Sequence, residues 1–528
     1  MGAKWKAAFA MILFSAAVCA GFGIWKYQAI DKKEERVWHH ELAAAADPTL
    51  GTDSVPEDFM VDGNFTSHLP LVIIDTGGEE IVNYKYYDHE LEAFRYKDGI
   101  DPYIRMQISF IDNENMVNRL GDEPTGVSYG KIKVRGNSSS TPIYPKKQYL
   151  MKLLTQDEEP NVMGVLGMTP SDTWILNGTQ LDRTYLRNYI AMNTAGGLSP
   201  YTPDMRFCEM VLKRGEKYEY MGLYGMYEKI EQGEGRVEIE KNAGYLLLRD
   251  RIDTDGLSMS VWSTKHQRSS NWVNLVYPSP NKVSEEYWDY IRNDVINIED
   301  SLYSEDRQIF EEYKKNLNVN SFVDYFIINE FFTNYDAGWN STFMYKDRSG
   351  KIFIGPYWDF DGALDNFVNE LLEIREMALP DAPWFDRLLT DEDFVNKVIV
   401  RYEELRKNIL SERELYDKID KAATFIEKPV KRDLSRWSAL YSNPMQLNKE
   451  KGTGIVVDRE TTTWEEEVQR LKDVMRLHGD FLDSDITQLY RLVKFEREEN
   501  PNTMLGIYFI IAFFVSIILV QRAREGIR

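Results

Sequence analysis

Along this chain the apolar residues change their spacing once, and that change limits the fold more than any single motif does. From Leu69 the segments LPLVIID, YIRMQISFID and GKIKVRG are short, β-branched or alternating, and bounded by Gly, Asp and Pro, the pattern of half-buried strands. From Ser284 to Tyr335, EEYWDYIRNDVINIEDSL and SFVDYFIINEFFTNY instead repeat apolar residues at i, i+3 and i+4, which lie on one face of a helix. Between them PKKQYLMKLL reads as a strand, DRTYLRNYIAMNTA as a helix, and CEMVLKRGEKYEYMGLYGMYEKI as a hairpin turning at Arg214-Gly215-Glu216. The expectation is an α+β body with a β-rich N-terminal lobe, a helical C-terminal lobe from about Ser284, and a cleft between them.

Composition narrows the function. A net charge of −22 has the wrong sign for a protein whose main partner is the nucleic-acid backbone, so no nucleic-acid partner is expected. Two cysteines, Cys19 and Cys208, cannot build a disulfide framework or a thiolate zinc site. The P-loop, nucleophile-elbow and zincin patterns are absent, and the six histidines are scattered.

Both ends carry apolar runs. Residues 7–25 lack charge and follow Lys4 and Lys6, reading as a transmembrane helix or signal anchor, although Val18-Cys19-Ala20 also offers a cleavage site. Residues 503–521, TMLGIYFIIAFFVSIILVQ, precede Arg522, Arg524 and Arg528, the pattern of a span with a basic stop. The layout expected is a short cytoplasmic terminus (1–6), a first span (7–25), a juxtamembrane linker (26–68), a body (69–500), a second span (503–521) and a basic cytoplasmic tail (522–528). That is a two-span protein of the cell membrane with its body outside.

The chemistry concentrates at element ends. Asn334-Tyr335-Asp336 closes a strongly apolar helix, and Tyr357-Trp358-Asp359-Phe360-Asp361-Gly362 closes the second strand of a hairpin that turns at Asp347-Arg348-Ser349-Gly350. A hairpin returns its chain, so Asp359 and Asp361 approach Asp336, whereas Asp347 stays at the solvated turn. Converging carboxylates suit Mg²⁺ or Mn²⁺, which draw their remaining ligands from water and substrate phosphates. Upstream, Arg135 precedes a Ser-rich loop, and a period of two places Lys146 and Lys152 on one face of the next strand, where the three cations neutralise a polyphosphate.

Taken in order, Arg135-Gly136, Pro145-Lys146-Lys147, Asp182 with Arg187-Asn188, Gly222-Leu223-Tyr224 with Glu228, Asn334-Tyr335-Asp336 and Trp358-Asp359-Phe360-Asp361 resemble the spore coat protein H (CotH) kinase family. The resemblance covers about residues 100–410, with a helical extension over 411–500. It implies an atypical protein-kinase-like fold that binds ATP with Mg²⁺ or Mn²⁺ and transfers the γ-phosphoryl group to Ser or Thr of a protein substrate, expected to be Ser-rich. By that likeness Asp336 is the catalytic aspartate and Asp359 and Asp361 bind metal. Arg135, Lys146 and Lys152 contact the phosphates, and Glu228 lies near the nucleotide, at a hinge. The alternative is a catalytically degenerate cell-surface protein that uses the same fold for adhesion or envelope assembly.

Overall fold

The computed structural model describes Arg36 and residues 38–91, 93–136, 145–179, 181–263, 271–366, 373–437 and 461–496, together with Phe513, Phe514 and Ile517. In chain order the first part contains β1 (Met60–Val61), β2 (Leu71–Asp75), β3 (Lys85–Asp88), β4 (Ala93–Tyr96), β5 (Ile104–Ile111), β6 (Gly126–Arg135), β7 (Gln148–Leu154), β8 (Thr173–Asn177), β9 (Met205–Arg214) and β10 (Lys217–Glu228). β10 pairs with β8, β8 with β7, β7 with β6, β6 with β5 and β5 with β2, while β2 runs parallel to β9, which pairs back to β10. The ladders therefore close into a barrel.

Closure depends on the length of β10. One edge of this strand is taken by β9, and the other by β1 at Tyr218 and Glu219 and by β8 from Gly225 to Glu228. Alternation does the rest: Ile132 and Val134 of β6 point into a core with Met151, Leu153, Trp174, Leu176 and Met226, whereas Lys131, Lys133 and Arg135 stay outside it. Each such apolar side chain contributes roughly 1.5–3 kcal/mol by leaving water.

The second sheet is β12-β13-β11-β14-β15, where β11 is Tyr245–Arg251, β12 Ser258–Met259, β13 Asn271–Tyr277, β14 Thr342–Lys346 and β15 Phe353–Ile354. The change of period at Ser284 is real: its hydroxyl accepts from Tyr287 N and starts the helix Glu285–Leu302, with Glu285 and Glu286 in the first turn. A wholly helical second lobe is not what forms, however. β11 presents two edges, one covered by β13 and the other by β14, so the hairpin Thr342–Ile354 is drawn back into a sheet begun about a hundred residues earlier.

Four helices matter below: α1 (His39–Leu42), α2 (Arg187–Gly196), α3 (Val319–Phe331) and α4 (Glu412–Arg436). α3 is apolar around its circumference because Phe322, Tyr325, Phe326, Ile328 and Phe331 are all buried. α4 returns to the barrel, where Arg432 and Asp433 are fully buried and Trp437 Nε1 donates to Met221 O at 2.9 Å.

Two expectations change here. Parts of the segment 26–68, read as a linker, pack against the body: His39 and His40 are buried against Phe207, Phe425 and Tyr189, and Phe65 joins the core, while residues 41–60 stay exposed or half-buried. The two-span membrane placement is corrected as well, because among the described residues no helix is long and apolar enough to cross a membrane. The runs 7–25 and 503–521 that prompted it fall outside the described residues, apart from Phe513, Phe514 and Ile517.

Candidate functional site

After α3 the chain turns sharply. Thr333 adopts φ +47°, Asn334 Nδ2 donates to Asn329 Oδ1 at 3.0 Å, and Asp336 is held by its Oδ1 accepting from Asn340 Nδ2 at 3.0 Å. β14 and β15 carry the chain out and back through the turn at Asp347, whose exposed carboxylate accepts from Glu240 N at 2.8 Å. On return, Asp359 sits at φ +65°, a conformation unusual for a residue with a Cβ. It is fixed from both sides: Ser341 Oγ donates to Asp359 Oδ2 at 2.7 Å and Asn334 Nδ2 to Asp359 O at 3.3 Å. Phe360 is fully buried beside Phe332, and its amide donates to Asn188 Oδ1 on α2 at 2.7 Å. Asp361 is tied through its carbonyl, which accepts from Asn366 Nδ2 at 2.6 Å.

These ties bring Asp336, Asp359 and Asp361 within electrostatic reach of one another. Burial raises the pKa of Asp359, the Ser341 hydrogen bond opposes the rise, and the charge on Asp336 adds to it. Asp361 is held well above the usual carboxylate range by burial and then by the charges of Asp359, Asp336 and Asp182. A fourth carboxylate, Asp250 at the end of β11, is raised to about 6, chiefly by burial and further by Asp359 and Asp336. Nothing in the local sequence points to Asp250, because the pairing of β11 with β14 that brings it here spans a long stretch of chain.

Asp359 also lines a cavity of about 80 Å³, together with Arg135, Gly136, Gln148, Asn177, Asn188, Tyr227 and Trp358. Arg135 at the end of β6 donates to Gln148 Oε1 at 3.2 Å; burial lowers its pKa, while Asp359 and Asp361 favour its charge. Tyr227 is almost wholly buried and its hydroxyl has no hydrogen-bond partner among the described residues. Its pKa is raised by burial and by Asp182, Asp361 and Asp359, which places that hydroxyl toward the acidic centre. A larger cavity of about 370 Å³, lined by Tyr313, Lys314 and Lys351 among others, involves none of these groups.

Other expected site residues sit elsewhere. Lys146 precedes β7 rather than belonging to it, so the period of two does not place it with Lys152: Lys146 is buried and Lys152 exposed. Lys146 Nζ donates to Asp433 Oδ1 at 2.7 Å and Leu223 O at 2.6 Å, between the rings of Tyr185 and Tyr224. Gly222 permits this, since at φ +112° an added Cβ would lie 2.0 Å from Asp433 Oδ1. Glu228 is 2% exposed, with Arg236 Nη1 at 2.6 Å on Oε1 and Asp204 N at 3.0 Å on Oε2, so both oxygens serve the protein. The Ser-rich loop after Gly136 lies outside the described residues.

Among the described residues no group of three or more acidic, histidine or cysteine side chains is placed to hold a metal ion by itself. The donor chemistry still fits Mg²⁺ or Mn²⁺, which commonly use one or two protein carboxylates and fill the rest of the shell with water and phosphate oxygens. The charge of Asp336 that raises Asp359, and those of Asp359 and Asp336 that raise Asp361, would be offset by a cation placed among them.

A family profile described as CotH kinase protein matches residues 132–482. No curated protein matches the chain.

Proposed function

We propose, from the premise that this chain belongs to the CotH kinase protein family, that it transfers the γ-phosphoryl group of ATP to a Ser or Thr hydroxyl of a protein substrate. The observation that carries this reading is the crowding of Asp359 and Asp361 with Asp336, whose charge bears on both, beside a cavity that Asp359 lines together with Arg135. Phosphoryl transfer is mostly positioning and charge neutralisation, so the parts it needs are metal-holding carboxylates, a cation for the phosphates and a base beside the acceptor.

In this assignment Asp359 and Asp361 hold the divalent cation, which neutralises charge on the triphosphate. Arg135 holds phosphate oxygens, and its half-buried guanidinium keeps a fixed charge where lysine would be free to lose one. Asp336 orients the acceptor hydroxyl and accepts its proton. The strained conformation of Asp359 supports a functional role, since such backbone persists where surrounding contacts over-determine it. A kinase-like arrangement of barrel and second sheet belongs to the same proposal. Adhesion or envelope assembly would need none of these half-buried, crowded carboxylates.

The test is phosphoryl transfer from ATP to a Ser-rich acceptor with Mn²⁺ or Mg²⁺, comparing the protein with Asp336→Asn and Asp347→Asn. Loss with the first and retention with the second is expected. Equal behaviour of the two variants removes the site.

A further inference from the structure

Outside the barrel, beside Arg135, cations and rings alternate. Lys85 Nζ on β3 lies 5.1 Å from the Tyr96 ring centroid, and Lys133 Nζ on β6 lies 4.3 Å from the same centroid. Lys133 Nζ is also 4.7 Å from the Tyr103 ring, and Lys152 Nζ on β7 is 5.2 Å from it. Tyr96 OH donates to Val134 O at 2.9 Å, which docks the β3–β4 hairpin over the strand that ends in Arg135.

The arrangement is electrostatically unfinished. Among the described residues Lys85, Lys133, Lys152 and Arg135 make no ion pair, and the aromatic faces recover part of the cost of gathering like charges. Burial is the main cause that pushes both Lys85 and Lys133 down to about 8; neighbouring cations push further, Arg135 and Lys133 on Lys85 and Lys152 and Arg135 on Lys133, while Asp250 and Asp253 oppose the shift at Lys85 and Asp255 and Asp101 oppose it at Lys133. Four cations without a direct ion pair cost stability that these more distant carboxylates offset only in part, and an anion seated among them would offset more. Lys85, Lys133 and Arg135 are half-buried under the hairpin, which suits a small, dense anion better than a protein surface that would meet mainly the exposed Lys152. Lys133 and Arg135 stand one strand repeat apart, about 7 Å.

We propose that Lys85, Lys133 and Arg135, braced by Tyr96 and Tyr103 and extended by Lys152, form the binding site for the triphosphate chain of the nucleotide. The proposal rests on the kinase reading for the identity of that ligand and adds Lys85, which precedes the family-matched residues 132–482, and Lys133 to the site. The hairpin is then the cover of the phosphate site, and Tyr96 is a positioning residue that aims two ammonium groups at one anion.

Calorimetry of the full chain with sodium tripolyphosphate, in excess chelator and low salt, tests the site without asking for activity. Binding is expected in the wild type, weakened about 10-fold in Lys85→Met and again in Lys133→Met, with Lys217→Met unchanged. Methionine keeps the stem over the ring while removing charge, and Lys133→Arg, which keeps both charge and stacking, must retain wild-type affinity if charge rather than folding is being read. Mg²⁺·ATP should displace tripolyphosphate. Wild-type affinity in both Met variants, no tripolyphosphate binding at all, or displacement by polyglutamate as effective as by ATP overturns the site. The two failures are distinct: tripolyphosphate binding without phosphoryl transfer keeps the anion site and removes the kinase reading. Transfer with an unchanged KM for ATP in Lys85→Met and Lys133→Met does the reverse.

Discussion

Lys146 and Asp433 meet at 2.7 Å with both side chains fully buried, although 287 residues separate them. Burial pushes the lysine pKa down and the aspartate up, and each partner opposes the other's shift. The pair therefore holds α4 in register against the barrel at a desolvation cost that only its completeness offsets.

Removing one partner should be costly. Lys146→Met is expected to lower unfolding free energy by about 3–5 kcal/mol, because Asp433 is left buried and uncompensated. Adding Asp433→Asn should recover more than half of that, since the amide oxygen still accepts from Leu223 N, now 2.7 Å from Asp433 Oδ1. Urea denaturation of the two variants decides it. If Lys146→Met leaves stability untouched while abolishing ATP binding, the lysine belongs to the nucleotide site after all.

At the acidic centre Asp359→Asn and Asp336→Asn should fail differently. The first is expected to weaken metal-dependent ATP binding, because a site with few protein carboxylates loses much of its attraction when one becomes neutral. The second should leave binding largely intact and cut transfer by roughly 10²-fold or more, the scale of a lost acid-base group. Calorimetry and phosphotransfer assays on the same preparations separate them, and identical losses in both would remove the division of roles.

Tyr227→Phe offers a sharper contrast. Deleting a buried hydroxyl that has no partner should leave stability unchanged or raise it by about 1 kcal/mol. Transfer is expected to fall about 10-fold if that hydroxyl donates to bound phosphate, a loss on the scale of one hydrogen bond to a charged group. A fall in stability together with unchanged transfer would make Tyr227 a packing residue.

Acid should loosen the N-terminal segment. His40 is buried with its pKa lowered from 6.5 to about 4, mainly by burial, and His39 lies well below the usual range for the same reason. Between those limits the unfolded chain binds a proton that the folded chain refuses, so stability is complete above about pH 6.5 and is lost as pH falls toward about 4. For His40 the loss is roughly 2–3 kcal/mol. His40→Phe should flatten that part of the stability profile measured by denaturant titration; an unaltered profile would mean that His40 does not set it.

Local geometry was legible in the sequence and distant pairing was not. A hairpin must return its chain, so the approach of Asp359 to Asp336 followed from the spacing around Asp347-Arg348-Ser349-Gly350. The β9–β10 hairpin was readable for the same reason, with Gly215 at φ +65° in its turn. Lys146 was misplaced because the strand's alternation begins at Gln148, two residues later, and its partner lies on a helix whose apolar pattern says nothing of which surface it meets. Glu228, placed near the nucleotide by the family resemblance, has Arg236 and the Asp204 amide on its carboxylate oxygens instead. Closure of the barrel leaves no sequence mark at all, since it depends on which edges of β10 are taken by β8 and β9.

The reach of α4 back to the barrel also sets an order of events during synthesis. The last barrel strand ends at Glu228, but Asp433, whose carboxylate neutralises Lys146, lies about 205 residues beyond it and emerges roughly 10–40 s later at translation rates of about 5–20 residues per second. Through that interval the nascent barrel carries an ammonium group with no counter-charge and an open groove along Gly222. Premature release before Asp433 would thus yield a chain with its strands complete and its closing pair missing, a natural target for chaperones and proteases.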